Sequence, residues 1–407
     1  MRRAFSLLPF VVLAVGCSSQ GSRPVAKGEP VRFTLPSHAA AARVRTDPAV
    51  ARSAEQEDPA EYAWTLFLAL NDPWNQPGTK VWETDFRQTS TVYLADGSEP
   101  PPWGTATDPP DLPPIPANGC VPPGVRHNLD TAIQVDGRDL LDKWGQSVRY
   151  QLLMNQATFD YIVARRFYNV NGQELAASNG QKADFPPTSY ELKTSWLWLG
   201  TDAARCAEVR DKFYVVNAYY QLFDRDGQPR GWQVGYAALA GMHIINKSQP
   251  NWVWITFENV YDPQFTAARL ELPIAPEIQA ANQFYQGALA GSVFANYQLD
   301  GVQTEFNVPG SNPPQPTLLA NSTIESAFQP QSSCITCHHL ASIKPDGEYF
   351  NLTYTQGGNV NYYVGTPPPL GDYTFLDYVW SMKRAHRQTT ESWLQKGHAV
   401  PTQEGSR

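Results

Sequence analysis

Five residues near the carboxyl end, Cys334-Ile335-Thr336-Cys337-His338, carry the most specific chemistry in the chain. Two thiols three residues apart fall on one helical turn. From there both can add to the two vinyl groups of a porphyrin. The residue that follows then lies under the ring and can ligate its iron. C-x-x-C-H is the attachment signature of a c-type haem. We therefore expect one covalent haem c on Cys334 and Cys337, with His338 as an iron ligand. A thiol–disulfide pair is the rival reading. It favours a helix start in a thioredoxin-like βαβ setting, which the flanking sequence lacks. Zinc would call for a second C-x-x-C or a matched histidine pair, and the other histidines are scattered. His339 reads as a surface or outer group turned away from His338.

The sixth iron position separates an electron carrier from a haem catalyst. A second strong ligand shuts out small molecules, whereas an open position admits them. His243, at the end of "ALAGMHI", is one candidate, and a hydrogen-bonded core histidine is its plainer role. Met382, 44 residues past His338, is the other candidate, with core packing as its plainer role. His386 stands in a basic neighbourhood that suggests the surface. An open or water-filled site is the remaining option.

The elements that must hold these residues begin with an address. "MRRAFSLLPFVVLAVGC" sets Arg2 and Arg3 before an apolar run too short for a good membrane span. Residues 1–16 read as an export signal. The run ends in "LAVGCSS", which resembles a bacterial lipobox with Gly16 before an acceptor Cys17. Ala14 stands where leucine is usual, and Ser18 is not the aspartate that retains lipoproteins at the inner membrane. Plain secretion, with Cys17 lost in the cleaved peptide, is the alternative. The expectation is an exported lipoprotein held at the periplasmic or outer-membrane surface by acyl chains. Export supports the haem reading, because bacteria attach c-type haem outside the cytoplasm.

Of five cysteines, Cys17 goes to lipid and two to the motif, leaving Cys120 and Cys206. In an oxidising compartment these are expected to pair; two separate thiols are the alternative.

Residues 17–55 read as a lipid-anchored tether, 56–315 as the body and 316–407 as the haem-bearing segment. In the body, "PAEYAWTLFLAL" (59–70) has helical spacing. The segment Glu99–Gly124 holds ten prolines and must be extended. Residues 138–168 and 276–298 read as helix. The β-branched, aromatic stretches 189–199, 212–223, 231–245 and 251–260 read as strands of one antiparallel sheet, with "DRDGQP" as a turn. In the last segment "NSTIESAF" (321–328) begins like a capped helix, with Glu325 completing a capping box. Residues 372–397 also read as helix, placing Phe375, Tyr378, Val379 and Met382 on one face.

Net charge is −8 with no sustained basic stripe, so nucleic acid is not an expected partner. The chain has no G-x-S-x-G, phosphate loop or Rossmann glycine set. Glu191 and Lys193, two apart, share a strand face and read as an ion pair, with service to a pocket as the alternative. Glu258 reads as a strand-end or pocket carboxylate.

The chain resembles a family of large bacterial monohaem cytochrome c-like lipoproteins. The likeness runs over about residues 60–340, through "AWTLFLALNDP", "KVWETDF", "FPPTSYELKTSW", "GMHIINKSQPNWVWITFEN" and "LLANSTIESAFQPQSSCITCHHLA". It implies a histidine of the "HI" strand at His243. A second histidine often found three residues on is Asn246 here, and the family's counterpart of the Met382 stretch does not carry a methionine. The resemblance supplies no settled reaction or substrate.

Together these point to an α+β fold. A large body with an antiparallel sheet and flanking helices precedes a short α-helical haem c segment resembling a reduced class I cytochrome c. With 69 residues after His338, that segment is expected to borrow a wall from the body. The expected function is one-electron transfer with transient redox protein partners, rather than catalysis. A haem enzyme or small-ligand sensor with an open iron is one alternative. A surface-binding lipoprotein with a structural haem is another.

Overall fold

In a computed structural model, residues 33–71, 80–109, 111–116, 120–129, 139–351 and 364–388 are described. The signal at 1–16 and the acceptor Cys17 lie outside them. Among the described residues no helix is long and apolar enough to cross a membrane.

The chain enters through three helices, α1 (His38–Thr46), α2 (Pro48–Glu57) and α3 (Pro59–Asn71). Ser37 and Asp47 cap the first two through their side-chain oxygens. The second half of the expected tether is thus helical, and Ala41, Val44 and Ala51 are buried there. The alanine-rich composition that reads as linker also suits close helix packing. α3 is buried on nearly every side. Its Trp64 stacks on Tyr285 and its Phe67 on Phe257, with ring centroids 5.1 and 4.3 Å apart. Each such ring contributes roughly 1.5–3 kcal/mol of burial.

After α4 (Val81–Thr84), β1 (Phe86–Gln88) and β2 (Arg126–Asn128) come β3 (Arg149–Asn155), α5 (Gln156–Ala164) and α6 (Val170–Ser178). The helix expected over 138–168 is therefore corrected. Its first part holds β-bridges, a turn at Gly145 (φ 71°) and β3, and only α5 is helical. Pairing with neighbouring strands outweighs the local helical pattern there.

The remaining sheet strands are β4 (Tyr190–Gly200), β5 (Val215–Phe223), β6 (Pro229–Asn246), β7 (Val253–Asn259) and β8 (Tyr297–Gln303). α7 (Ala203–Val209) and α8 (Pro276–Ala288) flank them. The expected strands pair antiparallel as read. β5 and β6 form a hairpin, β6 continues to β7, and β4 lies along β6. β8 takes the end of what reads as one helix from 276 to 298. At 18 residues, β6 organises the sheet: one edge carries β4, the other carries β5 and then β7. The eight-stranded sheet branches at β6 and curls into a nearly closed, barrel-like form.

The carboxyl-terminal part holds α9 (Cys334–His339), β9 (Ser342–Ile343) and β10 (Thr374–Phe375), with a 3-10 turn at Trp380–Arg384. The helix expected over 372–397 is corrected over its described part, 372–388. Asp377 and Tyr378 adopt positive φ (49° and 68°), which no α-helix accommodates. The mixed α+β class stands as expected.

Candidate functional site

α9 is a turn and a half of helix whose placement is set by β8. Gln303 at the end of β8 accepts from Ile335 N (2.9 Å) and donates to Ser333 Oγ (3.1 Å). Thr336 Oγ1 donates to Gly365 O at 2.9 Å. Ile335 and Thr336 are thereby buried. Cys334, Cys337 and His338 face the other way, into a cavity of about 340 Å³. That volume lies in the range of small-molecule sites. Neither cysteine is bridged. Cys120 and Cys206, by contrast, form the expected disulfide.

The far wall comes from the body, mainly from β3, β4, β6 and β7. Leu152, Leu192, Ile245, Trp254 and Ile255 supply apolar surface; Lys193, Glu191 and His243 supply polar groups. Lys193 and His243 are cross-strand partners, so both stand on one face of the sheet. Glu325 reaches that face from the turn after β8. The expected capping box is not made: Asn321 N donates to Glu325 Oε2 four residues on (2.9 Å), Thr323 N donates to Asn321 Oδ1 (3.0 Å), and Ser322 N goes to Glu258 instead. The stretch stays a turn and does not become a helix. It fits against β6 because residue 241 is glycine. A Cβ at Gly241 would stand 2.8 Å from the Asn321 side chain and 2.9 Å from Ser195 Oγ. Glu258 accepts from Ser322 N at 3.0 Å, which anchors the same turn and keeps this carboxylate in a structural role.

His338 is held on both sides. Its Nδ1 lies 2.7 Å from Tyr378 O. A carbonyl only accepts, so Nδ1 carries the proton and Nε2 keeps its lone pair. The Trp254 ring packs against the imidazole at 4.4 Å between centroids. Burial pulls the His338 pKa down to about 4, with Lys193 and His243 adding to the shift and the Tyr378 carbonyl opposing it. The ring is therefore neutral at physiological pH, the form that ligates metal. Trp380 Nε1 donates to Cys337 O at 2.9 Å and fixes the end of α9.

Burial and the nearby Glu325 carboxylate push the Cys337 thiol up to about 12, and Cys334 moves in the same direction. Thiol–disulfide exchange works through a thiolate, so this environment suits it poorly. Among the described residues no group of three or more His, Cys, Asp and Glu side chains gathers as a metal cage would require.

His243 Nε2 lies 3.1 Å from Glu325 Oε1. Burial alone would raise the Glu325 carboxyl; His243, Lys193 and the Asn321 amide outweigh it and hold it below its ordinary value. The ion pair expected between Glu191 and Lys193 is not formed. Glu191 instead accepts from Ser381 Oγ at 2.5 Å, and Lys193 Nζ lies 5.7 Å from the Tyr150 ring centre. Met382 is fully buried, packs in the core with Tyr93, Met154 and Ile335, and does not line the cavity. His386 is exposed and borders a separate cleft with Tyr93 and Lys383. His339 is half-buried among Phe306, Phe375 and Tyr378.

Sequence reasoning missed Tyr378, Trp380, Gln303 and Ser381. The first acts through its backbone carbonyl, and the others through contacts across the fold. Trp254 could have been found, since it alternates with the apolar residues of β7.

Comparison with known protein families, curated proteins and solved structures finds no match.

Proposed function

We propose that this chain is a monohaem c-type cytochrome, exported and lipid-anchored, that carries single electrons at the periplasmic or outer-membrane surface. One observation carries the reading. Two unbridged thiols at C-x-x-C spacing, and an imidazole with Nε2 uncommitted, face one largely apolar cavity. The donor set fits a covalent haem better than a zinc or a redox dithiol. Cys334 and Cys337 would hold the porphyrin through thioethers, and His338 Nε2 would meet the iron. When bound, the haem supplies one-electron reduction and oxidation.

The chain's own residues do the rest. Trp254 and Ile245 exclude water and lower the local dielectric. Tyr378 O fixes the tautomer and the tilt of His338. The body supplies the wall that the short haem segment (316–407) lacks. Partners would be other redox proteins, met through small transient interfaces.

A second reading, a haem enzyme or small-ligand sensor, rests on the polar set opposite the cysteines. His243 Nε2 is committed to Glu325, and Lys193 shares its wall. Such donors suit a bound small molecule. The purified protein from a haem-competent host, reduced and exposed to carbon monoxide, separates the two. An unchanged spectrum supports the carrier, and a shifted one supports the open site.

A further inference from the structure

Three of the four non-glycine residues with positive φ among the described residues, Trp252 (60°), Asp377 (49°) and Tyr378 (68°), meet in one cluster. Such conformations persist only where surrounding structure imposes them. Most of the imposing contacts converge on Asp377. Its two carboxylate oxygens lie 2.5 and 2.7 Å from Lys247 Nζ. Phe185 N donates to Oδ2 at 2.7 Å and Trp252 Nε1 to Oδ1 at 3.2 Å. The next residue is held too: the Tyr378 hydroxyl donates to Asn251 Oδ1 at 3.0 Å. Lys247, Asn251 and Trp252 all belong to the connection between β6 and β7. The product of this clamp is the direction of one carbonyl, Tyr378 O, which receives the His338 Nδ1 proton.

The geometry points to Lys247, Asp377 and Trp252 as positioning residues that aim the Tyr378 carbonyl at His338 and so set how strongly that imidazole donates. This deepens the haem reading and rests on it only for its redox consequence. A firm Nδ1–H···O bond makes the ring more basic and favours the oxidised metal. A slackened bond does the reverse. The arrangement also explains why a charged pair is buried here: it holds a strained turn that apolar residues would let relax.

The test compares Asp377→Asn with wild type. Asparagine tolerates left-handed φ, so the backbone is still permitted while the ion pair is lost. Two readouts are taken. The first is nitrogen NMR of the His338 imidazole, which needs no haem; the expected result is a single Nδ1-protonated tautomer in wild type and a mixture in the variant. The second is the midpoint potential of the haem-loaded protein, expected to rise in the variant, with a smaller rise for Trp252→Phe. Glu174→Gln, which breaks a pair with Arg387 (2.7 Å) that includes neither Asp377 nor His338, controls for lost stability and should move neither readout. If Asp377→Asn does not fold, Trp252→Phe decides alone. An unchanged His338 tautomer and potential in the variants would overturn the inference. A colourless wild type that still shows the tautomer change would uphold the positioning role and sink only the haem reading.

Discussion

The molecule carries two cysteine pairs, and its chemistry treats them oppositely. Cys120 and Cys206 are bridged across 86 residues, buried, and packed against Tyr150 and Val148. That bridge ties the proline-rich segment to α7 on one side of the sheet. Cys334 and Cys337 are three apart on one short helix, unbridged, and open to a cavity. One pair stabilises the fold, and the other faces space. The contrast teaches that residue type says little until the local geometry states what each thiol can reach.

The sharpest way to break this comparison is to delete each pair. Replacing Cys334 and Cys337 by alanine should abolish covalent haem while leaving the fold intact, read by intact mass and by thermal unfolding. Replacing Cys120 and Cys206 should do the opposite. Haem stays, and stability falls by about 4 kcal/mol, the order expected for a loop of this length, read by denaturant titration. If both double variants lost haem equally, the division of labour would be wrong.

Two buried histidine–glutamate pairs sharpen the same contrast. His127 Nε2 lies 3.2 Å from Glu83 Oε1, and the His127 ring packs against Trp82 and Trp196. His243 makes the matching pair with Glu325, but on the cavity wall. Glu83→Gln should cost roughly 3 kcal/mol, as for other broken buried pairs, and leave the haem spectrum alone. His243→Gln should cost less and alter the spectrum. A spectrum indifferent to position 243 would remove His243 from the iron's surroundings.

A pH-dependent effect concerns Glu191. Burial pushes its carboxyl up to about 7 from an ordinary 4.5, against the hydrogen bond from Ser381. Between those values the unfolded chain releases a proton that the folded chain keeps. Stability therefore falls as pH climbs from about 4.5 to 7. Glutamine does not titrate. The advantage of Glu191→Gln over wild type should thus be larger at pH 8 than at pH 4, by on the order of 3 kcal/mol. Thermal unfolding at the two values reads it, and an equal difference at both would contradict the assignment.

Much of the core sheet was legible. β4, β5, β6 and β7 announce themselves by β-branched and aromatic runs between turn residues, and "DRDGQP" fixes the hairpin register. β3 was not legible, because "RYQLLMN" is made strand by β1 and β4 rather than by its own pattern. The stretch around Met382 shows why periodicity alone misleads. Phe375, Tyr378, Val379 and Met382 are spaced as on a helix, yet Lys247 and Trp252, over a hundred residues away, bend Asp377 and Tyr378 out of it. Of the site, Cys334, Cys337 and His338 were readable from spacing. Glu191 and Lys193 were placed on the right face but given the wrong partners. The carbonyl that orients His338 left no trace in residue type, since any residue at 378 has one.

The central claim is that two thioethers join a haem to this chain. Intact mass of the protein from a host that matures c-type cytochromes, taken after acid–acetone extraction of loosely held haem, tests it most directly. The account predicts a coloured protein heavier by one haem, with the added mass on the peptide containing Cys334 and Cys337. An unmodified mass at that peptide, in colourless protein from the same host, would contradict it.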